Sequence, residues 1–136
     1  MAKRLRTARL RDERGATVVE FAFIVPLLIV LVLGIAEFGR AFQVSGTLSA
    51  AAREGVRVMA LQNAPVAARA AVRGAAPTLV PAVTNAQIAI TPAACPTAGP
   101  TSTTVRLTVT YPMPFLTDFF GSGVTLTGTG VMRCTG

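Results

Sequence analysis

At 136 residues, with 51% hydrophobic and only 14% charged side chains, the chain is more apolar than an ordinary soluble domain and has room for one small domain plus a membrane element. Its formal charge of +7 is concentrated at the start, where Lys3, Arg4, Arg6, Arg9, Arg11 and Arg14 face only Asp12 and Glu13. Histidine is absent, Lys3 is the only lysine, and the plentiful serines and threonines have only Glu54 and Asp118 as acids beyond the start of the stalk, so no enzyme, cofactor or small-molecule substrate is expected.

Residues 1–15 read as a basic, solvated cytoplasmic leader. Arginine and alanine there can form a short helix, but nothing in the segment can pack. A nucleic-acid arm would need aromatic interleaving or a folded basic face, and neither is present. A basic segment directly before an apolar run is instead the positive-inside signal that holds this end in the cytoplasm.

Residues 16–37 read as a transmembrane helix. The uncharged run from Phe21 to Ala36 covers only about 24 Å at 1.5 Å per residue, short of the ~30 Å hydrocarbon core. Adding Ala16 to Glu20 extends it to about 31 Å, so a spanning helix carries Glu20 about one turn from its cytoplasmic end. A carboxylate is costly there. Either it snorkels to the headgroups or is protonated, or it has a cationic partner. Cleavage after Gly15 creates such a cation, the free amine of Ala16, beside Glu20 of the same or a neighbouring chain. Pro26 lies in the first half of the span, where membrane helices accept it with a kink.

Residues 38–62 read as an amphipathic stalk helix. Phe38, Ala41, Phe42, Val44, Leu48, Ala51, Ala52, Gly55, Val58 and Met59 recur at three- and four-residue spacing, with Arg40, Gln43, Thr47, Glu54 and Arg57 opposite. Gly39, Gly46 and Gly55 each weaken it by about 1 kcal/mol against alanine, which predicts a break near Ser45-Gly46. The stripe packs on the domain's own sheet, on neighbouring subunits, or on both at different heights.

Residues 63–136 read as a small extracytoplasmic helix-plus-sheet domain. Asn63-Ala64-Pro65 opens a short helix over Val66 to Ala76, closed by Gly74 and Pro77. Three stretches with period two follow, at residues 86–91, 104–111 and 124–133, each with an apolar and a threonine-rich face, as a half-buried antiparallel sheet requires. The linker from Pro112 to Gly123 holds Met113, Phe115, Leu116, Phe119 and Phe120. That cluster either caps the sheet against the stalk or forms an exposed patch for a partner or the membrane surface. Cys95 and Cys134 both lie beyond the span, which favours a disulfide on the exported side over a metal site. The bridge would close a loop of about 40 residues, worth up to about 4 kcal/mol.

Gly15-Ala16-Thr17-Val18-Val19-Glu20-Phe21 has the G-x-x-x-x-E-[F/Y] form ahead of a long apolar helix. It resembles the class III signal of type IV prepilins and pseudopilins. The fuller string RGATVVEFAFIVPLLIVLVLGIAEFGRAF, with LSAAAREGVRVMA after it, resembles the TadE-like pseudopilins of the tight-adherence (Flp) pilus system over about residues 13–60. The resemblance implies a pseudopilin-like α+β fold and cleavage between Gly15 and Ala16 by a membrane-embedded prepilin peptidase. It also implies a role for Glu20 in subunit assembly, and other pilins and pilus-assembly membrane proteins as partners. The expected location is the bacterial cytoplasmic membrane, single-pass, with passage into an extracellular pilus left open. The competing reading is an uncleaved anchor that displays a disulfide-bonded binding domain, or ordinary secretion after Gly34-Ile35-Ala36.

Overall fold

The computed structural model describes residues 6–96 and 103–135, with side chains from Gly15 onward. The chain is α+β. Its elements run α1 (Arg6–Gln62), α2 (Pro65–Ala75), β1 (Ile88–Thr91), β2 (Thr104–Pro114) and β3 (Gly123–Arg133), with single 3-10 turns at Asn85–Gln87 and Asp118–Phe120. It divides into two units, with the boundary between Phe38 and Gly39.

In the first unit α1 is apolar on every side from Phe21 to Ala36. Phe21, Phe23, Leu27, Leu31, Val32 and Ile35 are all exposed, although they point in different directions around the axis. A helix hydrophobic all round belongs in an apolar solvent, and this one is long and apolar enough to cross a membrane. Pro26 lies inside it. The helix expected as possible within the leader is continuous with the span, because α1 already begins at Arg6. Arginine, alanine and leucine are good helix formers, and extending an existing helix avoids the cost of a new nucleus. Residues 1–5 lie outside the described residues.

The second unit has a single core between α1, α2 and the inner face of the sheet. The sheet order is β1-β2-β3, all antiparallel. Val105, Leu107, Val109, Tyr111 and Met113 alternate inward along β2. Ile88 of β1 pairs with Val109, and Gly128 and Gly130 of β3 pair with Val109 and Leu107. Threonines 108, 110, 127 and 129 occupy the opposite face in register. From α1, Val44, Leu48, Ala51, Ala52, Val56, Met59 and Ala60 enter the core, and Ala68 and Val72 enter from α2. Phe42, placed in the same stripe by spacing, is 78% exposed, as it lies about 200° around the helix from Val44.

The predicted break near Ser45-Gly46 does not occur, and α1 passes through it unbroken. Gly46 faces open space, so its cost is one of propensity alone. Burial of Val44 and Leu48 on either side, each of order 1.5–3 kcal/mol, offsets it.

Three other glycines set the packing distances. A Cβ on Gly128 would stand 2.5 Å from the carbonyl of Leu48, and one on Gly130 would stand 2.6 Å from the carbonyl oxygen of Ala52. The backbone of β3 therefore rests directly on the backbone of α1. Gly55 plays the same part toward α2, where a Cβ would run into Val72.

The end of α1 is tied down at several points. Asn63 follows the helix in a left-handed conformation, φ 47°, and its N–H donates to the carbonyl of Met59 at 2.9 Å. Its side-chain amide donates to the Cys95 carbonyl at 3.0 Å and accepts from the Cys95 N–H at 2.6 Å. Cys95 is disulfide-bonded to Cys134, and the N–H of Thr135 donates to Ala60 at 3.2 Å. Of the carbonyls at the helix end, that of Met59 is thus met by Asn63 and that of Ala60 by Thr135, just after the last strand.

The 112–123 linker is partly strand, since β2 reaches Pro114 and β3 begins at Gly123. Its apolar cluster divides. Met113 is buried and Phe115 half-buried, whereas Leu116 and Phe119 are 64% and 66% exposed. Gly121, at φ 106°, closes the turn by donating to Asp118.

Two stability measurements check this packing. Gly128→Ala is expected to lower unfolding stability by about 1–3 kcal/mol, because the obstacle is backbone that cannot swing aside. Gly46→Ala, in open space, is expected to raise it by about 0.5–1 kcal/mol. Chemical denaturation in detergent micelles, followed by circular dichroism, measures both. Removing the bridge with Cys95→Ala and Cys134→Ala is expected to cost about 2–4 kcal/mol by the same method.

Candidate functional site

The site begins at the helix start. Gly15 and Ala16 lie within α1 and are exposed, and a Cβ on Gly15 would meet nothing within 4 Å. Glu20 is exposed on the same helix. Ala16 and Glu20 are four residues apart, so they share one helix face with about 6 Å of rise between them. Gly15 is about 140° around the axis from Glu20. The helix thus brings Ala16, and not Gly15, under the carboxylate. Around them stand Val18, Val19 and Phe21, all exposed, with no other ionisable side chain from Gly15 to Ala36. A charge on Glu20 accordingly has little competing for it within its own apolar stretch.

A second carboxylate ends the apolar run. Glu37 is 5% exposed, the buried charged side chain among the described residues, whereas Glu20 is open. Sequence reasoning had no signal for that difference, because both glutamates flank the same run and only the fold distinguishes them.

In the second unit, Arg40 donates from Nη1 to the carbonyl of Pro114 at 2.8 Å. Arg40, Gln43 and Thr47 line one side of an open cleft, with Thr78, Leu79 and Tyr111 on the other. Tyr111 donates its hydroxyl to the Pro81 carbonyl at 2.8 Å. Its burial raises the phenol above its ordinary range, and the positive charge of Arg40 pulls the other way. Among the described residues no cluster of three or more His, Cys, Asp or Glu could hold a metal ion. The cleft offers hydrogen-bonding groups around one arginine, and no nucleophile–base pair.

Cys95 and Cys134, paired by sequence context, are joined in the structure with Cα atoms 5.7 Å apart. The bridge lies at the far end of α1's sequence from Glu20, and it buttresses the fold. Asn63, read as part of a helix start, is the residue that sequence reasoning missed here. Its left-handed backbone and its paired hydrogen bonds to Cys95 join the helix end to the bridge.

No curated protein and no solved structure matches the chain to a significant degree. A family model described as "TadE-like protein" matches residues 15–57, about a third of the chain. The match starts at Gly15, takes in Glu20, the apolar helix and Glu37, and ends where α1 packs on the sheet. Residues 15–57 are thus similar to the TadE-like family, a likeness consistent with a component of the tight-adherence pilus system.

Proposed function

We propose that the protein is a minor pseudopilin, an assembly component of a tight-adherence pilus, cut by a prepilin peptidase between Gly15 and Ala16 and joined to its partners through its N-terminal helix. The observation that carries this reading is the stacking of Ala16 under Glu20 on an exposed helix face that from Gly15 to Ala36 holds no other charge. Cutting after Gly15 places a new ammonium group at the helix start. Its charge and the Glu20 carboxylate then offset each other within one chain or between two, where either alone would be costly in a low-dielectric site. Exposure of the apolar side chains from Val18 to Ile35 supports two successive environments for them, first lipid and then the helices of neighbouring subunits. The basic leader supports a cytoplasmic N-terminus, with the second unit on the opposite side of the membrane.

The second reading keeps the chain uncut, as a single-pass anchor for the disulfide-bonded domain. One observation favours it. The Gly15–Ala16 bond lies inside α1, which starts at Arg6, and a peptidase acts on extended backbone, so this turn would have to open first.

Co-expression with a prepilin peptidase, followed by N-terminal sequencing of the membrane-bound product, separates the two. Ala16 as the first residue is expected, and an intact leader would sink the processing claim. Glu20→Ala is expected to leave that cut unchanged while reducing the protein's incorporation into assembled pilus complexes by roughly tenfold or more, the effect of losing a partner worth at least about 1.4 kcal/mol. Wild-type incorporation would remove Glu20 from the assembly contact.

A further inference from the structure

The second unit starts at Gly39, and its next residue, Arg40, donates to the carbonyl of Pro114 at 2.8 Å. The turn between β2 and β3 is therefore held at the end of the unit where the chain arrives from the apolar helix. The unit's phenylalanines gather at this same end. Phe42 stands two residues after Arg40, and Phe115, Phe119 and Phe120 lie in the turn, while residues 43–113 contain one aromatic, Tyr111, and residues 121–136 contain none.

Leu116 and Phe119 project from the turn well exposed, and Phe120 is 41% exposed. The edge-to-face contact of Phe119 and Phe120, with centroids 5.3 Å apart, holds the two rings together as one apolar knob. The outer face of the sheet presents threonines instead. An apolar knob at one end, beside a guanidinium, is the composition of a membrane-interface anchor, with rings at the headgroup level and an arginine close to the phosphates. Asp118 is exposed between the apolar residues, which fits a shallow contact and excludes deep insertion.

We propose that the β2–β3 turn is a second, shallow membrane contact, in which Leu116, Phe119 and Phe120 enter the interfacial layer of the bilayer that the apolar helix crosses. This goes beyond the pilus reading and is independent of cleavage. It rests on the helix being the membrane span. The occupant is the lipid surface and not a second protein, because the knob is tied to the residue next to the unit's junction with that helix. The contact gives the second unit two points of attachment, the covalent one at Gly39 and the turn.

The chain has no tryptophan, so single indoles report without background. Phe119→Trp replaces one exposed ring with another. Ile29→Trp reports on the span, and Val131→Trp, on the exposed outer face of the sheet, reports on water. The full uncut chain is reconstituted into phosphatidylethanolamine–phosphatidylglycerol vesicles carrying lipids brominated either near the headgroup or deep in the acyl chain. Shallow bromines are expected to quench F119W about twofold or more beyond V131W, and deep bromines to quench I29W most, as the depth order of interface and span requires. Quenching of I29W with F119W no different from V131W overturns the proposal. A blue-shifted F119W that no brominated lipid quenches also overturns it, and assigns the knob to a protein neighbour. Loss of quenching at both I29W and F119W overturns the bilayer crossing and the turn's contact together.

Discussion

The second unit depends on how closely a strand can lie against a helix. Gly128 and Gly130 of β3 bring backbone to within contact of the Leu48 and Ala52 carbonyls, with no side chain between. That spacing lets the inward residues of β2 reach past β3 to a helix that supplies mostly alanine, valine and leucine. A unit of this size has little apolar volume to spare, and close approach is how it reaches a dense core. Gly55 makes the same concession to α2. Residues that weaken a helix or strand by propensity here stabilise the assembly of the two.

α1 meets two environments in one unbroken element. Before the boundary at Phe38 its apolar side chains point in all directions, and after it most of them, Phe42 and Leu61 excepted, lie on the side that faces the sheet. Glu37 and Arg40 fall at the change, one buried and one bonded to the end of β2. Glu20 is different in kind. It sits inside the uniform stretch, where an unpaired charge has nothing to gain and a neighbouring ammonium has much to offer.

Much of the architecture was legible in the residues. Period-two alternation marks β2 and β3 because each has one wet face, and Pro65 marks the start of α2 within a residue. The two cysteines read correctly as a pair from context, and the apolar run forms a helix long and apolar enough to cross a membrane. What stayed hidden depends on partners distant in sequence. Gly128 and Gly130 look like weak points in a strand until Leu48 and Ala52 are placed behind them. Arg40 looks like the polar face of a stalk until Pro114, 74 residues on, is found beside it. Asn63 reads as a helix start because its second task needs Cys95. The unbroken passage through Ser45-Gly46 was misread for the same reason, since tertiary burial outweighs local propensity and leaves no trace in a window of neighbouring residues. At the candidate site, the G-x-x-x-x-E spacing was visible, while the burial of Glu37 was not.

The position of the bridge also sets an order of events. Cys134 follows β3, and β3 carries the two glycines that seat the sheet on α1. On the proposed topology the chain crosses the membrane from its N-terminal side, so residues 123–135 are the last described part to arrive. Until they do, α1 lacks its backing strand, the Ala60 carbonyl lacks Thr135, and Cys95 has no thiol to pair with. The domain then closes only once residues 123–135 have crossed. A chain stalled in transit would present the bare packing face of α1 and a lone Cys95 thiol, the two features by which a quality-control protease or a thiol-disulfide oxidoreductase could tell it from a finished one.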